Sequence, residues 1–453
     1  VSKSERSRKA DTTVLKTAIT AMAGASIEWY DFFVYGTAAA LVFPTLFFSK
    51  DLPPFVAQIA AFSTFAVGFI ARPIGGVIFG HFGDKLGRKT SLVAALMMMG
   101  CATTLIGFLP TYAQMGAIAP LCLVILRFLQ GLAVGGQWGG AVLLATESAP
   151  EGRRGFYGSF AQIGVPAGVV LANLVFLILN AALSDQAFQA WGWRIPFILS
   201  FALVALGMYV QLGLEETPVF KAIDLPTPAP ETAKQRGSHK ALTAEGGARA
   251  VLPIFQVLTS HPREILLAAG AFIAINGNFY ILVTYIISYG VKTLGLPQSV
   301  MLMAVLLGSL AMAPCLLAAA ALSDKVGRRP VYMAGALLLG LWSLVFFPIA
   351  HLATPLALTL DIAVGLGFLG IMYGPQAAFF AELFPPEVRY TGASLGYSLG
   401  TIVGGGLAPI VATWLLAKFN STLPIGLYMA GMCLISMLCV FLLSENRKAH
   451  DRP

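Results

Sequence analysis

Charge is what this sequence most lacks. Of its 453 residues only 11% are Asp, Glu, Lys or Arg, under half the share of about 25% found in soluble domains. Mean hydropathy is +0.79 and 57% of the residues are hydrophobic. A chain with so few charges cannot keep most of its surface in water. Cysteine is scarce as well: there are five, an odd number, all inside apolar runs and with no C-x-x-C pair. That argues against a disulfide frame and a cysteine-based metal site, so no metal is expected. H-E-x-x-H, G-x-S-x-G and Walker A patterns are missing, which removes the common hydrolase and nucleotide-driven classes. An enzyme is not expected, nor a bound cofactor. The formal net charge is +8, yet no basic stripe with interleaved aromatics accompanies it, so nucleic acid is not an expected partner.

What is present is a series of apolar runs of about 20 residues, each long enough to cross a hydrocarbon core as a helix. The short alternating segments of a membrane barrel are absent. The runs predict an all-α polytopic membrane protein with twelve transmembrane helices, over 18–47, 57–80, 91–110, 117–145, 156–181, 194–214, 263–290, 299–322, 331–350, 354–381, 391–417 and 423–443. Residues 1–17 read as a polar tail without the apolar core of a signal peptide. Residues 18–214 form one six-helix half and 263–443 the other. A Pro-, Ala- and charge-rich linker, 215–262, joins them, and 444–453 form a second tail. Most of the 29 Lys and Arg residues fall in the tails and the connections on their side, against Lys50, Arg194, Lys292 and Lys418 on the other. This bias places both termini and the linker in the cytoplasm.

The halves repeat one another. HFGDKLGRK at 81–89 matches ALSDKVGRR at 321–329, and ESAPEGRR at 147–154 matches ELFPPEVR at 382–389. Gly83 and Gly87 permit a tight turn between helices. Asp84 can cap a helix start, and Arg88 can hold acidic groups or helix C-terminal carbonyls. Asp324 and Arg328 repeat those positions. With Glu147, Arg153, Glu382 and Arg389 at the exits of spans four and ten, they form a candidate cytoplasmic gate. The alternative is that these charges only anchor topology.

Two parallel six-span halves carrying this loop twice resemble the major facilitator superfamily. IEWYDFFVYG, ARPIGGVIFGHFGDKLGRK, RFLQGLAVGGQWGGAVLLATESAP, FYGSFAQIGVPAG, WGWRIPF and AELFPPEVRYTGASLGY resemble its metabolite:proton symporters, and most closely the shikimate-transporter-like branch. The resemblance implies proton-coupled uptake of a small organic acid such as shikimate by alternating access, with the proton as coupling ion. The bacterial inner membrane is the implied location and a monomer the expected unit. Betaine or proline symport and export of a small metabolite are the alternatives. No heptad follows the last span, unlike the osmosensing betaine carriers. Related chains read GGEWGG where Gln137 stands here, so one titratable group is missing from that helix.

Span one carries Glu28 and Asp31 near mid-membrane, where a lipid-facing charge costs a few kcal/mol or more. Glu28, Asp31 and Tyr35 share a helix face. On span four, Arg127, Gln130 and Gln137 do the same. In the superfamily, spans one, four, seven and ten line the central cavity. Arg127 is therefore the expected cation for a substrate carboxylate. Asp31, or secondarily Glu28, is the expected proton carrier, coupled through an Asp–Arg contact; a static ion pair is the alternative. Tyr35, Gln130, Gln137, Asn276, Tyr280, Tyr373 and Gln376 complete the expected substrate site. Asp361, in the outer half of span ten, is a candidate second acid or an outer-gate residue. Arg72, read as lying near the inner end of span two, is expected to snorkel.

Overall fold

The computed structural model describes residues 3–86, 88–135, 152–213, 260–384 and 389–443, and all their regular structure is helical. We number the long helices in chain order. The first half holds α1 (Lys3–Leu41), α2 (Pro54–Leu86), α3 (Arg88–Gly107), α4 (Ile118–Gly135), α5 (Arg154–Ala182) and α6 (Ile195–Gly213). The second begins with α7 (Pro262–Lys292), followed by α8 (Gln298–Val326), α9 (Arg328–Ala350) and α10 (Pro355–Leu383). In α11, Arg389–Thr401 leads through a π-helical turn, Ile402–Gly406, into Ala408–Phe419, and α12 is Leu423–Leu442.

Each of the twelve expected spans overlaps one of these helices, and residues 136–145 of the fourth lie outside the described residues. Among the described residues nine are long and apolar enough to cross a membrane, and Val93–Gly107 and Gly192–Leu206 are shorter apolar helices. Helix is dictated by the solvent, because hydrocarbon offers no partner to an open backbone N–H or C=O. The expected tail is part of α1 from Lys3 onward. The linker from 215 to 259 and residues 444–453 lie outside the described residues.

Within the first half α1 packs on α5, α2 on α4, and α3 on α4 and α6. Within the second, α8 packs on α10, α9 on α10 and α12, and α7 on α11 and α12. The halves meet along two seams: α5 lies against α8 and α10, and α2 against α11. The corresponding helices α2 and α8 each contain an internal proline, Pro73 and Pro314, so the repeat extends beyond the loop motif.

Lipid is as apolar as the side chains, so helix contact in a membrane depends on close packing. The α2–α4 crossing is the clearest case. A Cβ at Gly131 of α4 would fall on the backbone of Gly68 and within 2.7 Å of the Ala71 Cβ. A Cβ at Gly68 would lie 2.6 Å from Nε of Arg127. The missing side chains let the two helices touch, and the crossing brings Arg72 and Arg127 to the same aromatic cluster.

Candidate functional site

At the centre of the bundle α1, α2 and α7 contribute an aromatic cluster. Tyr280 of α7 lies 5.0 Å, centroid to centroid, from Phe69, 5.5 Å from Phe65 and 6.0 Å from Phe32. Arg127 is fully buried against it. Its Cζ sits 4.1 Å from the Phe32 centroid, 4.3 Å from Tyr35 and 4.6 Å from Phe65. Nε donates to the Phe65 carbonyl at 3.3 Å and Nη1 to Oε1 of Gln130 at 3.3 Å. Nη2 has no hydrogen-bond partner. Ring faces attract a cation, but they do not supply the acceptors that a guanidinium requires. Tyr35 is held by its hydroxyl, which donates to Thr64 at 2.8 Å.

Asp31 is also fully buried, and neither carboxyl oxygen has a hydrogen-bond partner. It lies beside Thr103 of α3 and Ser200 of α6. Both hydroxyl protons are used elsewhere: Thr103 donates to the Met99 carbonyl at 2.8 Å, and Ser200 to the Pro196 carbonyl at 3.4 Å. The expected direct Asp31–Arg127 contact is therefore absent. Asp31 turns toward α3 and α6, whereas Tyr35 turns toward α2 and α4. A polar relay runs between them instead: Gln130 Nε2 donates to Thr103 Oγ1 at 2.6 Å, and Gln130 Oε1 accepts from Arg127.

Arg72 corrects the expectation of a snorkelling side chain. It is 1% exposed and points into the aromatic cluster, with Cζ 4.6 Å from the Phe32 centroid, 4.8 Å from Phe69 and 5.3 Å from Trp29. Nη1 donates to the Tyr397 hydroxyl of α11 at 3.4 Å, across the seam between the halves. Nε and Nη2 have no hydrogen-bond partner. Glu28 is its acidic neighbour. Among the described residues no carboxylate lies within ion-pair distance of Arg72 or Arg127. Because both guanidiniums lie on Phe32, their Cζ atoms can be no further apart than the two ring distances laid end to end. At an effective dielectric of about 20, two positive charges so placed repel by about 2 kcal/mol.

The second half contributes polar groups without charge. Tyr280 and Tyr373 are buried beside Arg72. Gln376 of α10 is fully buried, and neither its amide oxygen nor its nitrogen has a partner. Asn276 instead donates to its own helix, at Phe272 O, 3.1 Å away. Asp361 has no hydrogen-bond partner at either oxygen and sits beside Trp342 of α9, whose Nε1 donates to the Asp361 carbonyl at 3.2 Å.

The expected gate residues are brought together in part. Asp324 accepts from two backbone N–H groups at the start of α5, Gly155 at 2.9 Å and Phe156 at 3.0 Å. This joins the two halves through a helix N-terminus, a natural anion site. Arg328 binds Asp324 at 2.6 Å and Glu382 at 3.2 Å. Arg153 is exposed just before α5. Gly87, Gln137 and Glu147 lie outside the described residues, and the side chains of Gly83, Asp84, Arg88 and Arg389 are likewise not described. At the opposite end Lys292 of α7 donates to Gln58 of α2, and Asn180 of α5 donates to Gln298 just before the first turn of α8 completes, at 3.0 Å. Among the described residues, cross-half hydrogen bonds thus close the bundle at both ends.

Comparison with known proteins agrees with this architecture. The model of the "Sugar (and other) transporter" family matches residues 16–448. The inner membrane metabolite transport protein YhjE of Escherichia coli (strain K12) is 39% identical over 437 residues, spanning 95% of this chain and 94% of that protein. The shikimate transporter of the same organism is 36% identical over 447 residues, 96% and 95% of the two chains. The glycine betaine/proline/ectoine/pipecolic acid transporter OusA of Dickeya dadantii (strain 3937) is 33% identical over 448 residues, 95% and 84%. Among solved structures, the D-xylose-proton symporter shares the fold with a TM-score of 0.72 at 20% identity, over 95% of this chain and 98% of that one. Helix order, the paired halves and these matches together make the chain a multi-pass membrane transporter of the Sugar (and other) transporter family, within the major facilitator superfamily.

Proposed function

We propose that the protein takes up a small organic acid together with protons, by alternating access. The observation that carries this reading is Arg127, a fully buried guanidinium with a hydrogen-bonding nitrogen left over and no carboxylate partner among the described residues. A substrate carboxylate would supply the missing acceptors in the planar fork geometry that Arg favours. Gln376 and Tyr280 would take hydroxyl or further carboxylate oxygens from the opposite half.

Asp31 is the proton carrier in this reading. Burial without hydrogen bonds makes its charged form costly, so it should hold a proton while the bundle is closed. Gln130 and Thr103 would pass the state of Asp31 to Arg127 and so couple proton to substrate. Relatives that carry a metabolite or shikimate support such an acid, and others that carry betaine and proline support the zwitterion alternative. The charge bias makes the end carrying residues 321–329 the cytoplasmic one. A monomer in a bacterial inner membrane completes the proposal.

The test is uptake into proteoliposomes under an inward proton gradient, with labelled shikimate, quinate, protocatechuate, 2-oxoglutarate, citrate and betaine. Accumulation of an acid above its concentration gradient, abolished by a protonophore, supports the reading. Betaine alone accumulating would remove the role given to Arg127. Loss of solute from preloaded vesicles under the opposite gradient, without uptake, would make the protein an exporter.

A further inference from the structure

Arg127 alone answers a monocarboxylate, yet the site holds a second cation of the same kind. Arg72 is 1% exposed, has two nitrogens without a hydrogen-bond partner, and has no carboxylate within ion-pair distance among the described residues. It shares the Phe32 ring with Arg127, at 4.6 Å against 4.1 Å. Two buried guanidiniums this close repel each other, and aromatic faces only partly compensate each of them. One anionic group would relieve one of them and leave the other as it was.

Glu28 does not remove this demand. It sits on the Arg72 side but forms no ion pair with it. Asp31 faces Thr103 and Ser200, away from both guanidiniums. Among the described residues Arg72 has only hydroxyls for polar company: it donates to Tyr397 at a long 3.4 Å and lies beside Tyr280. Resting on the organic-acid reading above, we infer that the substrate is a short dicarboxylate, held with one carboxylate on Arg127 and the other on Arg72 across the edge of Phe32.

The spacing limits the class. The guanidinium carbons are no further apart than their two distances to the Phe32 centroid laid end to end, so two carboxylates lying between them fit a short carbon spacer. Shikimate and betaine, each with a single carboxylate, satisfy half of the site. Arg72 also reaches Tyr397 from across the seam, so filling its fork would act on the contact between the halves as well as on the substrate.

The experiment compares labelled succinate, glutarate and 2-oxoglutarate with shikimate, acetate and the half-amide succinamate, in proteoliposomes under an inward proton gradient. The wild-type protein should accumulate one of the dicarboxylates in preference to every monoanion. Arg72→Gln should lower the preference for that dicarboxylate over succinamate roughly 10- to 100-fold, the loss expected for one charge-assisted contact. A purely structural role for Arg72 would instead lower uptake of all substrates in parallel, and that result overturns the inference. Wild-type accumulation of shikimate or acetate as strongly as of any dicarboxylate overturns it too, and needs no variant to fold. If no acid of either kind accumulates, the organic-acid reading itself fails and this inference falls with it.

Discussion

Asp31 and Arg127 were both conspicuous in the sequence because a charge inside an apolar run has few reasons to be there. Their relation was not legible, since one helical face covers directions as different as Thr103 and Tyr35. The absence of a direct ion pair changes what substitution should do. Removing one partner of a buried pair strands the other charge and costs about 3–5 kcal/mol. Asp31 strands nothing, so Asp31→Asn should yield a folded protein with near-normal thermal stability. It should still exchange labelled substrate across the membrane at zero gradient, yet fail to accumulate it when a proton gradient is imposed. Unfolding of the variant in detergent would show that the carboxylate is structural. Arg127→Lys tests the other end of the relay. Lys keeps the charge but loses the planar fork and the contacts to Phe65 and Gln130, so the substrate concentration for half-maximal uptake should rise roughly 10- to 100-fold, measured by initial rates. Arg72 was misread because its position along span two was legible and its direction was not: the side chain turns into the bundle, onto Trp29, Phe32 and Phe69, and not along the helix toward water.

Helices were the most legible feature, because runs of about 20 apolar residues have one ordinary solution in a bilayer. Their irregularities were not. Ile281–Tyr285 in α7 and Ile402–Gly406 in α11 form π-helical turns, and a π turn arises from how neighbours pack rather than from a distinctive residue pattern. Such turns occur often at functional sites, and the one in α7 directly follows Tyr280. The turn in α11 carries Gly404-Gly405-Gly406 against the aromatic cluster. A Cβ on Gly405 would lie 2.8 Å from a ring carbon of Phe69 and 2.8 Å from one of Tyr280. Both rings are fixed among other aromatics, so neither can yield easily. Gly405→Ala should therefore destabilise this closed arrangement by about 1–3 kcal/mol, as overpacking does. A lower melting temperature of the purified protein, with reduced uptake, is the expected result. Unchanged stability and uptake would mean that the seam between α2, α7 and α11 is looser than the structure shows.

At the scale of the whole molecule the two halves are tied at both ends, and the ties differ in kind. At the Lys292 end they are single side-chain hydrogen bonds, Lys292 to Gln58 and Asn180 to Gln298. At the other end Asp324 takes two backbone N–H groups of α5 while Arg328 holds it from behind and reaches Glu382. The sequence repeat points to this loop as a candidate gate, but its partner is a pair of backbone N–H groups, Gly155 and Phe156, which no side-chain pattern announces. A charged acceptor on a helix N-terminus is stabilised by the N–H groups and by the aligned peptide dipoles. Asp324→Asn keeps the shape and removes the charge, weakening the cap and the Arg328 contact together. Charged hydrogen bonds contribute roughly 1.5–3 kcal/mol, enough to move the open-to-closed ratio of this end by about 10- to 100-fold. Spin labels at the exposed positions Arg153 and Lys325 should then report a longer mean distance in the variant than in the parent. Lys292→Met should leave that distance unchanged, because it releases only the opposite end. If Asp324→Asn left the distance distribution as it was, the Asp324 cap would be a static joint, and the closed state at this end would rest on the packing of α5 against α8 and α10 alone.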